Sequence, residues 1–210
     1  MLLFGHIGYT LAAGLLLNNS LHINRIISKE TDEKSVNPKA IDLKGPSAKF
    51  WKLIQQTKGL DLRWVIIGSL LPDIIDKPIG HIIFKDTFGT GQIYCHTLLF
   101  AIFLFLAGYV ASSIYKKNFI LLIAFGNLMH LILDFMWRKP SILLWPIYGF
   151  TFEKSTPIPF GEYLWNILRR TFQTPWAIIP EVVAAIITIW FIWVLIREKK
   201  FGSFIVKGSI

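Results

Sequence analysis

Five long apolar runs, separated by polar segments, organise the sequence. They extend over Leu2–Leu17, Leu62–Ile75, Ile93–Tyr115, Phe119–Trp137 and Trp176–Ile196. A helix needs about 20 apolar residues to cross a bilayer, so the last three runs are long enough and the first two are short. We therefore predict an all-α fold, an integral membrane bundle of about five helices. The short runs would cross with tilt or local thinning of the bilayer.

Composition favours a membrane-embedded chain over a large soluble core. Hydrophobic residues make up 53% of the 210 residues, and charged residues make up only 17%. The formal net charge of +9 would suggest nucleic acid as the partner of a soluble protein. No basic motif interleaved with aromatic residues is present, however, so we expect no nucleic-acid binding. Membrane lipid is the expected partner of the basic loops.

The distribution of basic residues predicts the orientation of the chain. Lys and Arg concentrate in the segment 18–61, in the turn Lys116–Lys117 and in the tail after the fifth run. The positive-inside rule places these segments in the cytoplasm. We expect one multi-pass domain over residues 1–210 in a cell membrane, with 18–61 as a basic cytoplasmic loop. The N-terminus would lie outside and the C-terminus in the cytoplasm, and the oligomeric state is not indicated.

Ionisable residues stand at one end of the predicted spans. Because neighbouring spans alternate in direction, six such side chains are expected at one membrane face: His6, Asp73, Asp76, His96, His130 and Asp134. His130 and Asp134 are four residues apart and can share one helix face. Asp73 and Asp76 are three apart and can do the same. Imidazole and carboxylate together suit zinc or another first-row divalent ion.

The cost of burying charge also favours a metal ion. An unpaired carboxylate at membrane depth costs on the order of 2.5–3.5 kcal/mol. Lys77 and Arg138 could each offset one carboxylate, but a divalent ion accounts for more of the residues at once. His81 is expected in a loop or around the ligands. Glu181 is either an acid in the first turn of its helix or an additional ligand or general base.

Several short motifs resemble a known family. They are Gly5–His6, Leu70–Pro78, Cys95–Leu99, Gly126–Asp134 and Leu144–Gly149. In this order they look like the bacterial and archaeal family described as predicted membrane-bound metal-dependent hydrolases. That family is similar in the order of its ligands to zinc-dependent phospholipase C and related nucleases.

The resemblance implies a set of ligands. One ion would be held by Asp73, His96, His130 and Asp134. A second ion would be held by His6 together with Asp134, which would bridge the two sites. Asp76 would replace Asp73 as a ligand or act as a base.

The resemblance further implies a membrane-bound metal-dependent hydrolase for phosphate-ester or lipid-linked substrates at the outer face of the membrane. One or two divalent ions, with zinc favoured, would activate water as the nucleophile. Whichever of Asp73 and Asp76 is not a ligand would be the catalytic carboxylate, which orients that water or accepts its proton. The alternative is a membrane metal or proton transporter, because ionisable residues in membrane helices also mark ion paths. A non-enzymatic scaffold that uses the basic loop is a third possibility.

Overall fold

The computed structural model describes residues 4–17, 60–115, 117–152, 154, 156 and 158–208. Its α-helices are α1 (Phe4–Leu17), α2 (Leu62–Pro78), α3 (Leu98–Tyr115), α4 (Phe119–Leu133), α5 (Pro140–Leu143), α6 (Phe160–Gln173), α7 (Pro175–Arg197) and α8 (Phe201–Lys207). These residues contain no β-strand, which confirms the all-α prediction. The predicted basic loop 18–61 lies outside the described residues, except for Leu60 and Asp61.

Two helices are long and apolar enough to cross a bilayer. They are α3, with 18 residues, and α7, with 23 residues. Helices α1 and α4 are apolar but shorter, and α2 has 17 residues. Within the described residues, the prediction of five crossing helices is therefore not confirmed. Over the part of the chain that the structure describes, two of the predicted spans are long and apolar enough to cross.

In the third apolar run, the α-helix starts later than the predicted start at Ile93. Tyr94–His96 form a single 3₁₀ turn, and α3 starts only at Leu98. The side chain of Asp76 accepts hydrogen bonds from three backbone N–H groups around this turn. Because the carboxylate accepts these hydrogen bonds, the three N–H groups do not require the carbonyl acceptors of an α-helix. His96 thus lies in a turn just before α3, not inside this helix.

The fourth run also ends early. α4 stops at Leu133, and Asp134 forms its C-cap. Phe135 then takes a left-handed conformation with φ of 52°, which turns the chain away from the helix axis. The predicted extension to Trp137 is instead a short 3₁₀ turn over Met136–Arg138.

Glycines let α2 and α4 cross with their backbones in contact. A Cβ atom added at Gly126 would lie 2.2 Å from the carbonyl oxygen of Val65, and one at Gly68 would lie 2.2 Å from that of Ile123. Small residues permit such close approach between helices in membranes. One turn beyond Gly126, in the same helix, stands His130. The close crossing therefore fixes the position of His130 relative to the ionisable side chains of α2.

An apolar cluster fills the end of the bundle opposite Asp73, His96, His130 and Asp134. Its buried members are Leu11, Leu15, Leu62, Val65, Leu122, Phe191, Val194, Leu195 and Phe204. At the same end, the Arg63 guanidinium donates a hydrogen bond of 2.6 Å to the carbonyl oxygen of Ile205. The start of α2 and the C-terminal α8 are therefore neighbours.

Candidate metal centre

Four side chains converge where α2, α4 and the turn before α3 meet. They belong to Asp73, His96, His130 and Asp134, and one potential ligand atom from each lies within 4.8 Å of the others. The two imidazoles are fully buried, whereas the side chains of Asp73 and Asp134 remain 17% and 10% exposed. The cluster is thus enclosed by protein but accessible to solvent from the side of the two carboxylates.

Asp76 holds His96 in place from behind. Its Oδ2 atom lies 2.7 Å from His96 Nδ1 and accepts the backbone N–H groups of Ile93 and Cys95 at 3.0 Å each. With the ring proton donated to this carboxylate, the lone pair on His96 Nε2 faces the cluster. The sequence placed Asp76 among the ligands, but its buried oxygens are occupied in the turn. In a helix, residues three apart diverge by about 60°, so Asp73 faces the cluster and Asp76 does not.

His130 is oriented in the same manner by the backbone. Its Nδ1 atom donates to the carbonyl oxygen of Ser69 at 2.6 Å. Its Nε2 atom therefore also presents a lone pair, and it lies 3.1 Å from His96 Nε2. Two lone pairs this close repel each other unless a cation lies near both.

One carboxylate oxygen of Asp73 faces the Nε2 atoms of the two histidines. Asp73 Oδ1 is buried and has no hydrogen-bond partner among the described residues. It lies 3.7 Å from His96 Nε2 and 3.9 Å from His130 Nε2. Lys77 donates to the other oxygen of Asp73 at 2.6 Å, so Oδ1 is the atom left for the cluster. Buried polar atoms without a partner are rare and call for an explanation such as a bound ion.

The spacing of the four atoms suits a divalent ion. Asp134 Oδ2 lies 3.6 Å from His130 Nε2 and 4.0 Å from His96 Nε2. Around tetrahedral zinc, with bonds of about 2.0–2.1 Å, ligand atoms are roughly 3.3 Å apart. The separations here extend from 3.1 Å to at most 4.8 Å and are mostly longer than that value, so the side chains would have to move inward to complete the coordination. The donor set fits zinc and other borderline ions, and it does not select among them.

His6 lies beside the cluster. Its fully buried ring stacks on that of His130, with centroids 4.1 Å apart and planes inclined by 14°. His6 Nε2 is 3.3 Å from Asp134 Oδ1, while the other oxygen of that carboxylate faces His130. Within the described residues, neither ring nitrogen of His6 makes a hydrogen bond of good geometry. Asp134 therefore presents one oxygen to each histidine.

The further candidates surround the cluster without joining it. Glu181 on α7 is 8% exposed and accepts the backbone N–H of Gly5 at 2.9 Å, which ties α7 to the start of α1. The His81 ring lies against that of Tyr163, with centroids 3.9 Å apart. Burial, assisted by the charge of Lys77, lowers the pKa of His81 and keeps its imidazole neutral.

Three neighbours of the cluster carried no signal in the sequence analysis. Gln92 donates to Asp134 Oδ2 at 3.2 Å and accepts from Lys139 Nζ at 2.5 Å. Both residues lie outside the apolar runs, where hydrophobic periodicity does not predict the position of a side chain. Burial, together with the nearby carboxylates, raises the pKa of Tyr163 to about 12 and keeps its hydroxyl protonated. Its helix, α6, could have been found from the recurrence of apolar residues every three to four positions.

A cavity of about 720 Å³ opens onto the exposed side of the cluster. Its charged lining residues are Asp73, Lys77, Asp134, Lys139, Arg170 and Glu181. Among the described residues, cationic and anionic side chains line it in equal number. This volume is in the range that accommodates small molecules in proteins.

Comparison with known proteins places the chain in a membrane family. The family model described as YdjM inner membrane protein matches residues 1–200, almost the entire chain. No curated protein and no solved structure matches it. A membrane location, as predicted, agrees with this match and with the two long apolar helices. The expected similarity to hydrolases and to zinc-dependent phospholipase C receives no support from these comparisons.

Proposed function

We propose that this chain, which belongs to the YdjM inner membrane protein family, is a membrane-bound hydrolase that uses a divalent metal ion. The observation that carries the proposal is the pair of imidazoles whose Nε2 atoms face each other at 3.1 Å. Both Nδ1 protons are donated away from the cluster, to Asp76 and to Ser69. A divalent ion between these lone pairs and the adjoining carboxylates would account for the arrangement.

The residues around the cluster have distinct tasks in this proposal. A divalent ion held by the four cluster residues would supply Lewis acidity and lower the pKa of water toward ~7. Lys77 fixes Asp73 so that one carboxylate oxygen points at the ligand set. Glu181 lies on the cavity wall outside the four-residue cluster, so it is the carboxylate assigned to accept a proton. The hydroxyl of Tyr163 stays protonated and donates to substrate.

The electrostatics of the cavity favour a phosphate ester as substrate. Among the described lining residues, three cationic side chains balance three carboxylates. A divalent ion would make the cavity positive, which attracts the charged oxygens of a phosphate group. The membrane location extends the substrate class to lipid-linked phosphate esters.

Transport, the alternative function, has less support in the fold. An ion path would need polar groups that continue from the cluster toward the far end of the bundle. In the part of the chain that the structure describes, that end is filled by the apolar cluster around Leu62 and Leu195. Metal uptake into vesicles by the wild type, abolished in Asp134→Asn, would instead favour a transporter.

The metal content of purified protein tests the proposal first. We expect the wild-type chain in detergent to retain about one or two divalent ions per chain in elemental analysis. His130→Gln and Asp134→Asn should lose most of this metal, because each replaces a ligand by an amide side chain of similar shape that binds metal more weakly. Asp86→Asn, an exposed carboxylate outside the cavity, is the matched control and should keep it.

Hydrolysis of p-nitrophenyl phosphate esters tests the activity. A chelator should abolish turnover by the wild type, and added zinc should restore it. The Asp86→Asn control should behave as the wild type, whereas Asp134→Asn should stay inactive. Metal retained undiminished in both ligand variants, or turnover insensitive to chelator, would contradict the proposal.

A further inference from the structure

Helix α6 has three different faces. Successive residues of an α-helix turn by about 100°, so residues four apart lie nearly in line. Tyr163, Ile167 and Thr171 form one such line, and all three line the cavity. They are also the half-buried positions of α6, whose other residues are exposed. One face of α6 is therefore a wall of the candidate active site.

The neighbouring face is apolar and exposed. It consists of Leu164, Trp165, Leu168 and Phe172, which we call the lipid face. Trp165 is 62% exposed and Phe172 is 70% exposed. The remaining face is polar and contains Glu162, Asn166, Arg169 and Gln173. An amphipathic helix with aromatic and aliphatic residues on one side and arginine on the other is typical of helices in a membrane interface.

The position of α6 in the chain decides what covers the lipid face. Only Thr174 separates the end of α6 from the start of α7, which is long and apolar enough to cross the bilayer. The C-terminal end of α6 is therefore held at the membrane boundary. Trp176, 86% exposed at the beginning of α7, is the kind of residue that anchors a span at this depth. The bilayer itself is the occupant that this connection favours.

We propose that α6 lies in the plane of the membrane interface, inserts its lipid face among the acyl chains and opens the cavity sideways to the bilayer. An amphiphilic substrate would then enter past α6, with its polar headgroup at the metal cluster and its chain in lipid. The substrate part of this inference rests on the proposed function. The placement of α6 does not, because it follows from the faces of the helix and its link to α7.

Spin labels on α6 test its placement in the full-length chain reconstituted in lipid nanodiscs. Leu168→Cys and Phe172→Cys report the lipid face, and Asn166→Cys and Gln173→Cys are the matched controls on the polar face. Cys95 is buried, and the unsubstituted chain measures its background labelling. At positions 168 and 172, collisions with oxygen should exceed those with a water-soluble nickel chelate. At 166 and 173 this order should reverse.

Two other results would overturn the placement. Equal access of the nickel chelate to all four positions would mean that α6 lies in water. Protection of 168 and 172 from both reagents would mean that protein, such as a second copy of the chain, covers this face.

Hydrolysis of two substrates tests the route of the substrate. The probes are dioleoyl phosphatidic acid in phosphatidylcholine vesicles and the soluble p-nitrophenyl phosphate. Trp165→Ser/Phe172→Ser should lower turnover of the vesicle-held ester several-fold and leave the soluble ester unchanged, while Asn166→Ser/Gln173→Ser should change neither. An equal loss on both esters would refute sideways access. If the wild type hydrolyses neither ester, the proposed function and the substrate part fail together, and the spin labels still decide the placement of α6.

Discussion

At the scale of single residues, the cluster depends on hydrogen bonds that point imidazole protons away from it. The Asp76 carboxylate accepts hydrogen bonds from the His96 ring N–H and from three backbone N–H groups. It therefore sets both the ring orientation of His96 and the fold of the turn that carries it. A neutral amide cannot replace it fully, because its NH₂ group would face backbone donors.

Asp76→Asn should therefore weaken metal binding without removing a ligand. Loss of a carboxylate that orients a ligating histidine typically costs roughly 10–100-fold in metal affinity. Zinc titration against a competing chelator would measure the change, with Asp86→Asn as the control of equal charge. An affinity equal to that of the wild type would show that Asp76 does not orient the site.

Residue patterns predicted which side chains meet, but not how each is used. The spacing of His130 and Asp134 within one helix predicted that both would reach the same face, and they do. The separate position of Asp76 depends on a turn held by its own carboxylate, which no periodicity describes. Gln92 and Lys139 were missed because loops place residues through contacts that are distant in sequence.

At the scale of helices, close contact between α2 and α4 holds two of the cluster residues in register. Gly126 approaches the backbone of Val65, and Gly68 approaches that of Ile123. Asp73 follows Gly68 by five residues, and His130 follows Gly126 by four. A larger residue at the crossing would push the helices apart and separate the two ligands.

Gly126→Ala should destabilise the fold because its new methyl group would meet backbone atoms 2.2 Å away. Overpacking of this kind costs about 1–3 kcal/mol or more. The free energy of unfolding in detergent, measured by titration with a denaturing surfactant, would show the loss. The matched control is Gly161→Ala in α6, where no atom of the described residues lies within 4 Å of the added atom and stability should not fall. Equal stability of both variants would contradict the close crossing.

Helix boundaries were predicted well wherever hydrophobicity alone sets them. The fifth run was predicted over Trp176–Ile196 and is a helix over Pro175–Arg197. The prediction was wrong where a polar side chain sets the boundary: Asp76 binds the backbone of the turn before α3, so that helix begins only at Leu98. The amphipathic α6 was missed, because half of its residues are polar and it forms no continuous apolar run.

At the scale of the whole molecule, the chain has two chemically distinct ends. The ionisable cluster and the cavity lie at one end, and the apolar cluster with α8 lies at the other. The membrane family and the two long helices agree with a membrane location for the chain. The direction in which it sits in the membrane is a prediction from the distribution of Lys and Arg.

Reporter fusions test that direction. A fluorescent protein fused after the last residue should fluoresce, because it would fold in the cytoplasm. Alkaline phosphatase fused after Lys154, in the connection between α5 and α6, should be active, because this connection is predicted to lie outside. The opposite pair of results would place the cavity at the cytoplasmic face.

The central claim is that four side chains hold one divalent ion, and X-ray absorption at the zinc edge of zinc-loaded protein tests it most directly. We expect only nitrogen and oxygen neighbours at about 2.0–2.1 Å, with outer-shell scattering from two imidazoles. His96→Gln should remove one imidazole contribution. A sulfur neighbour at about 2.3 Å, or zinc without imidazole ligands, would contradict the account.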